Sequence, residues 1–188
     1  MKKVLIVIGI LLLVFFMAFG WIRSGYDTAI TKDENVKSAW AQVENQLQRR
    51  NDLIPNLVNT VKGFARQEKD IFTEVTRLRS QWGQSPSVPD KIANANAMSG
   101  ALSRLLLVAE NYPQLKSNQN FLALQSQLEG TENRIAVERM RYNQAVRDFN
   151  TFRRTFFGRF FTSLAGVPEP AVYFEADDAA RQVPQVQF

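Results

Sequence analysis

The sequence predicts an all-α protein, with a single N-terminal transmembrane helix followed by an antiparallel four-helix bundle of long helices. Three observations predict it. Residues 4–22 run nineteen positions without a charge. Long apolar stripes then recur at three- and four-residue spacing, and the breaks between them are short and rich in Pro, Ser, Asn and Asp.

The uncharged run is close to the ~20 apolar residues that cross a hydrocarbon layer, and Val4, Leu5, Leu12, Phe16 and Ile22 belong to it. Trp21 stands where an interfacial aromatic belongs. A secretory signal peptide is the competing reading, because Lys2 and Lys3 precede the run and Ala18-Phe19-Gly20 resembles a cleavage site. The run exceeds the ~7–15 residues of a usual signal core, which favours the anchor. Lys2 and Lys3 on one side face Arg23, Lys32 and Lys37 on the other. A short lysine tail commonly stays inside, so the expected orientation puts the water-facing domain outside the cytoplasm. The expected division is an anchor over 1–23, a helical domain over 24–165 and an irregular tail over 166–188.

The first bundle stripe is Val36, Trp40, Val43 and Leu47, opened by Thr31-Lys32-Asp33-Glu34, which reads as a capping box. The second runs Leu57, Val61, Phe64, Glu68, Ile71, Val75, Leu78 and Trp82, ending in the breaker-rich 83–90. Between them, Asn51-Asp52-Leu53-Ile54-Pro55 carries turn chemistry and predicts a reversal, although the heptad register also allows one kinked helix. A third helix, with Asp90 as N-cap, carries Ile92, Ala95, Met98, Leu102, Leu105 and Ala109 before Asn111-Tyr112-Pro113.

The fourth stripe is the longest. Phe121, Leu124, Leu128, Thr131, Ile135, Glu138, Tyr142, Ala145, Phe149, Phe152 and Phe156 hold one face through five heptads, predicting a single helix of about 60 Å. Four antiparallel helices return its C-terminal end toward the bilayer. That end holds Arg153, Arg154, Phe156, Phe157, Arg159, Phe160 and Phe161. Rings at the acyl boundary and guanidinium groups among lipid phosphates make a candidate membrane-surface or partner contact. The plainer reading is that Phe152 and Phe156 finish the seam while the others dock the tail.

Glu68, Thr131 and Glu138 interrupt the stripes at positions read as mid-helix. Buried carboxylates need partners such as Arg66, Arg134 or Arg139, or else local splaying lets them reach water. The sharper reading is a polar layer that fixes register, or a small ligand pocket between helices.

Composition excludes much chemistry. The chain has no Cys and no His, which removes thiol nucleophiles, Cys/His zinc sites and histidine triads. Its glycines are scattered singly, without a phosphate-cradling loop. No cofactor is expected. Taking Lys2, Lys3 and Arg23 from the 23 basic residues leaves 20 against 18 acidic ones. That near-neutral mixture argues against nucleic acid.

Several strings resemble the LemA family: Gln48-Arg49-Arg50-Asn51-Asp52-Leu53-Ile54-Pro55-Asn56-Leu57-Val58, Tyr112-Pro113-Gln114-Leu115, Thr131-Glu132-Asn133-Arg134-Ile135-Ala136, Arg141-Tyr142-Asn143, Phe149-Asn150 and Tyr173-Phe174-Glu175. The resemblance implies a bacterial cytoplasmic-membrane protein with one N-terminal span, a helical bundle and no established enzymatic activity. It also favours the turn near Asp52 to Pro55, and it makes Arg49, Arg50, Asp52, Pro55, Thr131, Glu132, Asn133, Arg134, Tyr142 and Asn143 signature residues of structural character. Members are discussed beside membrane metalloproteases and TPM-domain membrane proteins, which implies a partner role.

The expected function is therefore a non-enzymatic, membrane-anchored scaffold or adaptor of the envelope. Its expected partners are the lipid bilayer and either a second copy or another membrane protein. The alternative is a membrane-tethered sensor that binds a small ligand between its helices.

Overall fold

The computed structural model describes residues 2–175, and every regular element among them is helical. In chain order these are α1 (Lys2–Phe64), α2 (Lys69–Gln84), α3 (Val88–Glu110), α4 (Pro113–Lys116), α5 (Gln119–Arg154) and α6 (Phe156–Leu164).

The expected reversal at residues 51–55 does not occur. α1 runs unbroken through Pro55, so the kinked-helix alternative is nearer the fold. Proline inside a helix removes one N–H and frees the carbonyl four residues back, at a cost of about 3 kcal/mol. Here that carbonyl belongs to Asn51, and Arg79 Nε of α2 donates to it at 3.3 Å. Ile54, Leu57 and Val58 are buried around the proline. A side chain from another helix thus satisfies the group that proline leaves open. A double-mutant cycle tests this: Arg79→Met is expected to lose about 1–2 kcal/mol in urea unfolding of the detergent-solubilised chain. The loss should largely vanish in a Pro55→Ala background, whereas equal losses in both backgrounds would contradict the assignment.

The reversal falls instead at residues 65–68, so the second stripe is split between the end of α1 and all of α2. No residue in this turn has a positive φ, and Ala65 is fully buried. Tertiary packing holds a turn that has no Gly, Pro, Asn or Asp of its own. Glu68 is consequently the N-cap residue of α2 rather than a mid-helix residue, and the Tyr112 hydroxyl donates to its Oε1 at 3.5 Å.

Three other boundaries move. The expected capping box at Thr31 lies inside α1, where the Thr31 hydroxyl donates to the Asp27 carbonyl and Glu34 pairs with Lys37. Ser87, not Asp90, caps α3, its hydroxyl accepting from Asp90 N–H. The fourth stripe lies in α5 from Phe121 to Phe152, and that helix ends at Arg154, so Phe156 belongs to α6 rather than to one continuous helix. At 36 residues, α5 is about 54 Å long.

Two compact units divide the described chain, and α1 and α5 contribute to both. One comprises residues up to Trp40 with Arg141–Ala171, and the other Ala41–Met140 with the chain from Val172. In the first, Ala29, Val36 and Trp40 of α1 and Tyr142, Val146 and Phe149 of α5 are buried. The rings of Trp40 and Tyr142 meet edge-on at 5.3 Å. In the second, one core joins Ile54, Leu57 and Val61 of α1 to Ile71, Phe72, Val75 and Leu78 of α2. Met98, Leu102 and Leu105 of α3, Leu115 of α4, and Phe121 and Leu128 of α5 complete it.

Among the described residues after α6, 166–175 form no regular element, and side chains hold them in place. In the first unit Asn150 binds Ala171 through both backbone groups, at 2.8 and 2.9 Å. In the second, Phe174 is buried beneath the Arg139 guanidinium, 4.1 Å from the ring centroid, and Asn96 donates to the Glu175 carbonyl. The expectation for residues 176–188 lies outside the described residues.

Candidate functional site at the aromatic end of the first unit

Within α1, Leu5–Phe64 is one helix long and apolar enough to cross a membrane, with none of its most apolar window buried. Val4, Leu5, Leu12, Phe16, Trp21 and Ile22 all lie in α1, and the last five are exposed.

The Arg/Phe-rich segment folds back onto the end of this apolar stretch. α5 stops because Thr155 turns extended, at φ −70° and ψ 157°, and caps a new helix by accepting from Gly158 N–H at 3.0 Å. Only glycine fits at 158, since a Cβ there would overlap the Phe152 carbonyl. α6 then docks against α1 through its rings. Phe157 meets Trp21 edge-on at 4.8 Å, and Phe161 meets it at 5.1 Å. Phe161 is buried directly over Gly25, where a Cβ would overlap its ring.

The candidate surface residues therefore divide. Phe161 points inward, and Arg153 is half-buried and donates to the Pro168 carbonyl at 2.9 Å. Phe156, Phe157 and Phe160 stay exposed, Phe156 at 85 %, beside the exposed Arg154 and Arg159. An apolar side thus faces outward between two guanidinium groups. Leu164 extends it and Gly25 seats it, and neither was singled out from the sequence; the Thr155-x-x-Gly158 spacing was the available signal for the helix start.

The second unit holds the most unusual buried polar group. Arg50 is 2 % exposed, and its guanidinium donates to Ser99 Oγ at 2.8 Å, Ala95 O at 3.1 Å and Glu132 Oε1 at 3.2 Å. Burial lowers the proton affinity of Arg50 and the adjacent Glu132 carboxylate opposes that shift. Burial likewise lowers that of Arg139, with Glu132 opposing and the charge of Arg50 adding to the effect. One carboxylate therefore balances two guanidinium groups. Thr131, one residue before Glu132, is buried with its hydroxyl donated to the Gln127 carbonyl. Among the described residues no three His, Cys, Asp or Glu side chains gather as metal ligands do.

The sequence profile of the LemA family matches residues 39–188. The chain belongs to the LemA family. It is also similar to magnetosome protein MamQ 2 of Paramagnetospirillum magneticum, with 29% identity over 173 residues, covering 78% of this chain and 62% of that protein. Magnetosome protein MamQ of Magnetospirillum gryphiswaldense is 24% identical over 174 residues, covering 79% and 63%. The chain thus spans about three-fifths of the length of these curated relatives.

The positions singled out by the resemblance sort by burial. Arg50 joins Glu132, and Tyr142 packs on Trp40 with its hydroxyl pKa pushed up to about 12 by burial. Pro55 and Asn143 are half-buried. Arg49, Asp52, Asn133 and Arg134 are exposed, Asp52 accepting from Gln48 within the same helix at 2.9 Å. Glu138 is half-buried and engaged. The positions that carry the resemblance therefore include both packing elements and surface groups of this chain.

Proposed function

We propose that this LemA family chain is a membrane-anchored scaffold or adaptor of the bacterial envelope, acting without catalysis through self-association or through another membrane protein. In this reading residues 1–23 are a single-pass anchor in the cytoplasmic membrane. Residues 24–165 form an antiparallel four-helix arrangement on the extracytoplasmic side, and residues 166–188 form its tail.

The observation that carries the reading is the docking of α6 on Trp21 and Gly25, at the end of the apolar stretch, with Phe156, Phe157 and Phe160 left exposed. An exposed aromatic patch beside a span is poorly explained as a bare water-facing surface. Placed at the acyl boundary, the rings leave water while Arg154 and Arg159 reach phosphate oxygens. α6 becomes a second membrane contact that limits how the domain tilts on its anchor. Membership of the LemA family and likeness to magnetosome proteins support a membrane-associated, non-enzymatic role.

Confinement to the membrane surface raises the effective concentration toward any partner there, so the mechanism is positional. A second copy, a membrane protease or a TPM-domain protein is the class of partner such a module serves. Extraction into native lipid nanodiscs followed by mass measurement tests it. The expected result is an assembly heavier than one chain, built from further copies or a stoichiometric membrane protein. A strict monomer carrying a specific bound metabolite would overturn it in favour of a sensor.

A further inference from the structure

The second unit carries a groove of about 940 Å³ along the exposed stripe of α2. Lys62 at the end of α1, Arg66 in the following turn, and Lys69 and Arg77 of α2 line it, and no Asp or Glu does. Among the described residues none of these four cations is in an ion pair. Asp70, in the first turn of α2, makes no ion pair with Arg66.

The floor is of different character. Thr73 and Thr76 give their hydroxyl protons to the Lys69 and Phe72 carbonyls of their own helix, at 2.9 and 2.7 Å. Phe72 is buried below, with Lys62 Nζ 5.4 Å from its ring centroid. The groove is therefore an uncharged floor with a cationic rim, running from Lys69 to Gln81, about 18 Å along the helix.

Charge complementarity selects the occupant. A lone phosphate needs converging donors, whereas these cations are strung along the stripe. A nucleic acid needs a wider basic surface than a domain of balanced charge supplies. A helix with acidic residues at i, i+4 and i+7 matches both rim and floor. We infer that the α2 groove is the docking site for an acidic amphipathic helix of a partner protein. This stands apart from the membrane contact of α6.

The test uses the full chain in neutral-lipid nanodiscs and fluorescence anisotropy. Its probe is a labelled synthetic helix of about 18 residues, with Glu on one face and Ala and Leu on the other. A scrambled peptide of equal charge, a short oligoribonucleotide and inorganic phosphate are compared. The helix is expected to bind roughly tenfold more tightly than the scrambled peptide. That preference should be lost both on Lys62→Glu/Arg66→Glu/Arg77→Glu and on Thr76→Trp, which fills the floor without changing charge. Equal binding of the scrambled peptide, retention in either variant, or tighter binding of the ribonucleotide or phosphate would overturn the inference.

Discussion

Replacing Arg50 with alanine is expected to cost the fold about 3–5 kcal/mol, because it empties a buried volume and strips donors from Ala95, Ser99 and Glu132 together. Arg50→Met should cost less, about 1–3 kcal/mol, since it refills the volume and the groups that lose Arg50 keep other partners. Ser99 keeps its own bond to the Ala95 carbonyl at 3.1 Å, and the partly exposed Glu132 can turn to water. Glu132→Ala falls between them, because it leaves the guanidinium buried without its counter-charge. Urea unfolding of the detergent-solubilised chain, followed by far-ultraviolet circular dichroism, reads the order. An Arg50→Ala loss below 1 kcal/mol would contradict the role given to this group.

Undocking α6 has the second large effect. Phe161→Ala removes a buried ring from the Trp21 and Gly25 seat, and Gly25→Leu fills that seat from the other side. Each is expected to cost the docked state about 3–5 kcal/mol. A nine-residue helix is too short to persist alone. Amide hydrogen exchange should therefore reach near-unprotected rates across 156–164 in both variants, while α5 keeps its protection. Protection unchanged in α6 would show that the rings do not hold it.

These two sites differ in how far they could be read from the amino acids. The buried stripes of α1, α2, α3 and α5 follow from periodicity, and Tyr142 and Phe149 fall where three- and four-residue spacing puts them, but between them Val146 is buried and the expected Ala145 only half-buried. Pro55 misled because its local chemistry is that of a turn, while its remedy, Arg79, lies in another helix. The true reversal at 65–68 has no turn residue to announce it and depends on burial of Ala65. The Phe-rich segment was legible as an unusual surface. Its division into inward Phe161 and outward Phe156, Phe157 and Phe160 depends on the cap at Thr155, which restarts the helix in a new direction. Arg50 was legible only through family resemblance, since a basic residue within a polar string gives no sign of burial.

The most direct test of a second membrane contact exploits the absence of cysteine from the chain. A single Cys introduced at Phe160, or at the exposed Gln144 of α5, takes a nitroxide label in the full chain reconstituted into anionic nanodiscs. Relaxation by oxygen and by a water-soluble nickel chelate then reports depth. The label at 160 is expected to favour oxygen, as a group at the acyl boundary does, and the label at 144 to favour the chelate. Equal exposure of both labels to the chelate would contradict a second membrane contact.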